Sequence, residues 1–333
     1  MSSDSTEQMD TILGIGAPLV DILLSAEDSL LDELGAEKGG MSLVPQEEID
    51  RLRSRLPLRK QSAGGSAANT VKAIGALGYP AAMYGKVGND DLGHFFLQDM
   101  NRHGVDTSRV EHATQESTGC VCCLITPDGE RTFRTYLGAA GTLSPAECSG
   151  LNLEGIGIIH MEGYLFFQSG IIDAICETAN RHSTQIKKSL DLASFDVVQL
   201  FRNDLLELLE REIDIVFANE QEGAAVSGSN DPLEMLKFLN RYAELAVVKV
   251  GADGAYACRR GEEPVFRPGT RVEVRDTTGA GDFWAAGFFC GLLQNSSLEH
   301  AVDLGNLLGS TIVQHDGAQL SPETWNELKQ QIH

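Results

Sequence analysis

Short apolar runs alternate with longer amphipathic stretches along most of the 333 residues. Residues 12–15, 82–87, 156–161, 186–192, 213–218 and 246–250 are candidate strands. In IGIIHM, IDIVFA and LAVVKV the apolar positions run together instead of alternating, as in strands buried on both faces. Residues 66–77, 92–103, 170–181, 199–211 and 231–242 space their apolar side chains by three and four, the period of helices with one buried face. Strand and helix signals in alternation predict a mostly parallel central sheet with helices on both faces, one α/β domain spanning residues 1–333.

One section departs from this rhythm. Residues 118–126 and 131–137 read as strands joined by the turn Pro127-Asp128-Gly129-Glu130, with no helix between them. Residues 20–24 and 40–44 are further strand candidates. A small β attachment from residues 17–45 and 115–137 is therefore expected, placed to act as a lid over a site. The competing arrangement is an antiparallel extension at the edge of the main sheet.

Composition narrows the function. The net charge is −22, and no basic stripe of the kind that binds nucleic acid is present. The same negative field disfavours anionic membranes. The densest basic segment, RLRSRLPLRK at 51–60, reads as a solvated helix end. Seven cysteines, three of them (Cys120, Cys122, Cys123) in the apolar run GCVCCLIT, fit a reduced, cytoplasmic protein without a disulfide frame. The start, MSSDSTEQMD, is polar and acidic, unlike a signal peptide. No apolar run approaches the roughly 20 residues that cross a bilayer.

The strongest chemical signal is Asp276-Thr277-Thr278-Gly279-Ala280-Gly281-Asp282, which joins a strand-like run to an apolar stretch, FWAAGFFCGLL. Glycines let backbone N–H groups approach a ligand, and N–H groups at a helix start are unpaired and favour anions. The turn suits a polyphosphate and the charge that develops on a transferring phosphoryl group. Asp282 beside such a turn has two readings: a helix cap, or a general base for an attacking hydroxyl. The whole run favours the base.

Other nucleotide and catalytic motifs are missing. Gly85-Lys86 is followed by Val87, which breaks the Walker A pattern, and Gly279 and Gly281 are followed by Trp284 where a dinucleotide fingerprint needs glycine. Gly64-Gly65-Ser66-Ala67-Ala68 lacks the spacing of a nucleophile elbow. The eight histidines show no metal-ligand spacing, and His160 reads as a core residue.

On these residues the chain resembles the ribokinase (PfkB) family of carbohydrate and nucleoside kinases. The run 276–282 resembles the family's C-terminal signature, terminal Asp included. Gly64-Gly65-Ser66-Ala67-Ala68-Asn69, then Ala76-Leu77-Gly78, then Gly85-Lys86-Val87-Gly88-Asn89-Asp90-Asp91-Leu92-Gly93 resemble its N-terminal signature. Asn219-Glu220-Gln221-Glu222 resembles its N-x-x-E element, and Val248-Lys249-Val250-Gly251 with Gly254 resembles a nucleotide-side element. The matches keep family order from about residue 14 to 321.

The resemblance implies a ribokinase-like three-layer sandwich with a small β-sheet lid. It implies transfer of the γ-phosphate of ATP, with Mg²⁺, to a primary hydroxyl of a sugar or ribonucleoside. Asp282 matches the base, and Gly279, Ala280 and Gly281 match the anion hole. Asn219 and Glu222 match the pair that organises Mg²⁺ and phosphates through water; a helix cap with a surface Glu is the competing reading. Lys249, Gly251, Gly254, Thr277 and Asn306 fall on the nucleotide side. Asp21 matches a diol-gripping carboxylate, with Gly64, Gly65, Asn69 and Glu162 around the substrate. Met41, with Phe133 and Tyr136, lines a slot for a base or else belongs to the lid's own core. Asp276, Thr278, Gly317 and Ser321 resemble a K⁺ loop.

Gly64-Gly65-Ser66-Ala67-Ala68-Asn69 departs from ribokinase's Gly-Gly-Lys-Gly-Ala-Asn and looks more like adenosine-kinase-like bacterial sugar kinases. The alternatives are a strict kinase for fructose, ribose or a ketogluconate, and a catalytically idle nucleotide- or sugar-binding regulator. Lid edges also offer a route to a homodimer.

Overall fold

The computed structural model describes residues 11–333; the polar start at 1–10, read above as unlike a signal peptide, lies outside the described residues. In chain order the strands are β1 (Thr11–Ile15), β2 (Leu19–Ser25), β3 (Met41–Leu43), β4 (Leu58–Gly64), β5 (Ala81–Tyr84), β6 (Lys86–Gly88), β7 (Val105–Asp106) and β8 (Glu111–Ala113). They continue as β9 (Gly119–Ile125), β10 (Arg131–Tyr136), β11 (Ile156–Glu162), β12 (Lys187–Asp191), β13 (Ile215–Asn219), β14 (Leu245–Lys249), β15 (Gly254–Arg259) and β16 (Val265–Pro268).

Nine strands form the main sheet in the order β16-β15-β14-β13-β12-β11-β1-β5-β7. It is parallel from β14 to β7, and β15 and β16 add an antiparallel edge that the apolar pattern did not predict. Successive residues of one strand feed opposite cores. Phe217 and Val247 join the cluster under the helices Ser66–Ala76, Ala280–Leu293 and Leu298–Ile312. Val216, Ala218 and Val248 join the cluster under the helices Ile171–His182, Phe195–Arg211 and Pro232–Leu239. Burial on both faces is why these strands carry no polar alternation.

Strand order reverses between β1 and β11, where the chain winds outward in both directions. In open α/β sheets ligands bind at the carboxyl ends of strands beside such a point. The helix Ala280–Leu293 anchors that region. Phe283, Phe288 and Phe289 are fully buried, each worth roughly 1.5–3 kcal/mol on burial, so its first turn is held in place.

A separate five-stranded sheet, β3-β10-β9-β2-β4, lies beside the main one, so the edge-extension arrangement does not occur. Its strand β4 corrects the reading of residues 51–60. The basic segment is a helix only to Arg55 (Gln46–Arg55), and the chain then pairs antiparallel with β2. Gly85 divides the apolar run at 82–87 into β5 and β6, and β6 leaves the main sheet to pair with β8. Cys120 and Cys123 stand at Cys-x-x-Cys spacing, but an odd offset on a strand sends them to opposite faces, and all seven cysteines are free and buried. Among the described residues no helix is long and apolar enough to cross a membrane.

Candidate active site

Four neighbouring strands end on polar side chains at the same edge of the sheet: Glu162 on β11, Asp191 on β12, Asn219 on β13 and Lys249 on β14. The glycine turn closes over this edge. Gly279 is the N-cap of the helix Ala280–Leu293 with φ 76°, a backbone state that side chains with a Cβ resist. The sequence reading started the helix at or just before Asp282, and Asp282 lies in its first turn.

Asp282 caps nothing by side chain. Its Oδ1 accepts from Ser66 Oγ at 2.7 Å, and its Oδ2 accepts from Asn69 Nδ2 at 2.9 Å. Burial pushes its pKa up to about 6 against those two donors, and Asp191 adds to the push while Lys249 opposes it. The carboxylate is thus fixed in orientation and more basic than an ordinary Asp.

A cleft of about 860 Å³ opens in front of it. Gly279, Ala280, Gly281, Asn219, Glu222, Lys249, Gly251, Gly254, Thr277 and Asn306 all line it, so the predicted phosphate and nucleotide residues do converge. Lys249 Nζ donates to Asp191 Oδ2 at 2.8 Å and lies beside Gly281. Burial works against that ammonium, but Asp191 and Glu222 outweigh it and raise its pKa. Lys249 therefore carries a full positive charge into the cleft.

Asn219 and Glu222 form a capping box. Asn219 Oδ1 accepts from Glu222 N at 2.9 Å, and Glu222 Oε2 accepts from Asn219 N at 2.8 Å. The helix-cap reading is therefore correct for Asn219. Glu222 is not a surface Glu: it is 2% exposed, and burial, with Asp191 nearby, lifts its pKa to about 7. Asn306 has both amide hydrogens committed to the carbonyls of Arg267 and Pro268, and its Oδ1 accepts from Trp284 Nε1. It shapes the cleft wall between β16 and the helix Ala280–Leu293.

On the other side of Asp282 lie Asp21, Gly64, Gly65 and Asn69. A Cβ on Gly64 would stand 2.2 Å from Asp21 Oδ2, so only glycine leaves room for that carboxylate. Burial raises the pKa of Asp21 to about 6; Lys72 lowers it, and Asp282 and Asp276 raise it. Asn69 Oδ1 is buried without a hydrogen-bond partner. Gly65 is the N-cap of the helix Ser66–Ala76, whose first two turns supply Ser66 and Asn69.

Two further predicted substrate residues, Glu162 and Met41, have surroundings of their own. Glu162 accepts from Ala17 N and Ala67 N, each at 2.9 Å, one backbone donor on each oxygen. It clamps the chain between β1 and β2 to the helix Ser66–Ala76, and burial raises its pKa to about 7. Met41 does not line the cleft; it lies 60% exposed on the edge strand β3. Phe133 packs on Leu23, Cys123 and Ile125, and Tyr136 packs on the opposite cluster.

Asp276, Thr278 and Gly317 do come together. Asp276 Oδ1 accepts from Thr278 N and Oγ1, and its Oδ2 accepts from Gly317 N and from Arg131. Ser321 instead caps the helix Pro322–Ile332, accepting from Thr324 N at 3.2 Å. His160 is a core residue, edge-on to Phe217 and Phe289.

The sequence reading missed Ser66, Asp191 and Arg131. Ser66 stood inside a quoted motif and meets Asp282 across 216 residues. Asp191 had one usable signal: a carboxylate at the end of a candidate strand, as Asn219 and Lys249 end the next two.

A cleft walled by a glycine turn and the Lys249 ammonium, with the half-buried Asp282 carboxylate at that turn, has the chemistry that suits phosphoryl transfer. A family model for the "pfkB family carbohydrate kinase" matches residues 42–325. An ATP-dependent ribose-1-phosphate kinase of Halopiger xanaduensis is 30% identical over 82% of this chain and 90% of its own length. A 2-dehydro-3-deoxygluconokinase of Bacillus subtilis is 30% identical over 76% of this chain and 81% of its own. The crystal structure of adenosine kinase from Sinorhizobium meliloti superposes with a TM-score of 0.81 at 34% identity, covering 96% of this chain and 99% of that one. The chain belongs to the pfkB family of carbohydrate kinases. It is an ATP-using phosphotransferase whose acceptor is an alcohol group of a small sugar or nucleoside.

Proposed function

We propose that the chain transfers the γ-phosphate of ATP to the primary hydroxyl of a ribonucleoside, with Asp282 as general base. The acceptor oxygen attacks the γ-phosphorus, the bond from that phosphorus to the bridging oxygen breaks, and ADP leaves. The hydroxyl proton passes to Asp282. The observation that carries this reading is the Asp282 carboxylate, held by Ser66 and Asn69 at the mouth of the anion-binding turn with its pKa near 6. Such a group is ionised at neutral pH yet basic enough to take a proton. The N–H groups at the start of the helix Ala280–Leu293 face the charge that develops.

Asp21 supplies two acceptor oxygens to a vicinal diol, and the partnerless Asn69 Oδ1 accepts from a further hydroxyl. Asn219 and Glu222 are the residues that would hold Mg²⁺ through water. The burdened Glu222 carboxylate suits a nearby positive charge. When bound, the ion draws charge off the phosphate oxygens. K⁺ does not suit the Asp276 side chain, whose carboxylate already accepts from four donors.

The small sheet supports a nucleoside over a free sugar. Register places Asp21, Val121, Cys123, Phe133, Met41 and Leu43 on one face. Met41 and Leu43 are 60% and 65% exposed, so this apolar strip runs from the diol carboxylate to an uncovered edge. A purine or pyrimidine ring suits such a strip; a free sugar does not. In this reading the sheet serves as a lid that excludes water. An ADP-release assay across adenosine, other nucleosides, ribose, fructose and ketogluconate tests it. Turnover is expected with a nucleoside; turnover with free sugars alone selects the strict sugar kinase, and binding without turnover selects the idle regulator.

A further inference from the structure

Arg131 leaves β10 on the same face of the small sheet as Asp21, and its guanidinium crosses to the main domain. One Nη donates to Asp276, and the other donates to Asp316 Oδ1 at 2.9 Å. Lys60, on β4 and the same face, donates to the Asp316 carbonyl at 3.1 Å. The Asp276 side chain is 4% exposed. Besides Arg131 it receives Gly317 N at 2.6 Å, Thr278 N at 3.0 Å and Thr278 Oγ1 at 2.7 Å.

A carboxylate offers about four lone-pair positions, and all four are met here by donors. A bare cation needs acceptor oxygens, not N–H groups. The Ser321 hydroxyl is committed as a helix cap. These side chains therefore do not fit the potassium ion that the resemblance implies.

We propose that Arg131 is a built-in substitute for a monovalent cation, and a positioning residue that couples the small sheet to the glycine turn. Asp276 needs a positive neighbour because it is buried beside a site for anions. It also fixes the turn, through Thr278, just ahead of Gly279 and Asp282. An ion diffusing in would neutralise Asp276 without regard to the small sheet. Arg131 neutralises it only while the hairpin after β9 is seated, so the anion hole and the cover over the acceptor form together. The consequence for turnover rests on the kinase reading above; the ion preference does not.

The test compares the full chain with Arg131→Gln and Arg131→Lys, each in potassium chloride and in N-methylglucamine chloride. Thermal melting and initial rates are both read. Wild type is expected to melt and turn over alike in the two salts. Arg131→Gln is expected to lose about tenfold or more in kcat with little change in the KM for ATP, as the loss of a charge-assisted hydrogen bond to a buried carboxylate implies. Potassium is expected to restore part of both its Tm and its rate, because the freed Asp276 then accepts an ion. Arg131→Lys keeps the charge but loses the fork, so a smaller loss with no potassium response is expected. Should Arg131→Gln fail to fold, wild type and Arg131→Lys still decide the question. Potassium raising the Tm or rate of wild type overturns the proposal, as does an Arg131→Gln chain that matches wild type in both salts. If no acceptor is phosphorylated in any salt, the kinase reading falls, and melting alone decides this one.

Discussion

Asn69 donates its amide to Asp282 at 2.9 Å, while its own carbonyl oxygen is buried with no partner. An unpaired buried acceptor costs about 1–3 kcal/mol, a cost that a ligand hydroxyl removes on binding. One residue thus orients the base and addresses the acceptor. Asn69→Ala is expected to lower kcat/KM for the acceptor by about 10- to 100-fold, with the KM for ATP unchanged. Initial rates with both substrates varied give the answer; equal losses on both sides would place Asn69 outside the acceptor site.

The acid limb of the pH–rate profile follows from two carboxylates. Asp282 and Asp21 each sit near pKa 6, raised mainly by burial. Each acts in its ionised form, so kcat/KM for the acceptor is expected to fall below about pH 6, with a slope approaching two. Because the Asp282 charge helps to raise Asp21, the limb belongs to the pair. A limb centred near pH 4, where ordinary Asp titrates, would contradict the assignment.

The same shift makes Asp282 costly to the fold. Its pKa is raised from 3.8 to about 6 on folding, so the folded chain binds the proton more tightly than the unfolded one. Stability therefore falls as pH rises from about 4 to 6 and stays reduced above that window, by on the order of 1–3 kcal/mol. Asp282→Asn carries no such charge. Its Tm is expected to exceed wild type at pH 7.5 and to converge with it near pH 4. Calorimetry at both values checks the sign; a lower Tm at pH 7.5 would mean that the charge stabilises the fold.

The main sheet was legible because burial on both faces leaves strands such as β13 and β14 apolar up to their last residues, Asn219 and Lys249. Strand β4, LRKQSAG, was not. Its site-facing positions are Lys60, Ser62 and Gly64, and pairing to β2 defines it more than hydrophobicity does. The base was legible because its turn is contiguous in sequence. Ser66 with Asp282, Asp191 with Lys249, and Arg131 with Asp276 are contacts across 216, 58 and 145 residues, and no local pattern announces them. The two backbone N–H groups that Glu162 accepts from, Ala17 and Ala67, are likewise contacts that no local pattern displays.

The central claim is that Asp282 takes the acceptor's proton. Asp282→Asn keeps the size of the side chain and removes the base, so steady-state turnover of an accepted nucleoside or sugar measures that role alone. General-base catalysis accounts for about 10²- to 10⁴-fold, and a loss of kcat in that range is expected, with ATP still bound at near wild-type affinity. Full turnover by Asp282→Asn would contradict the account.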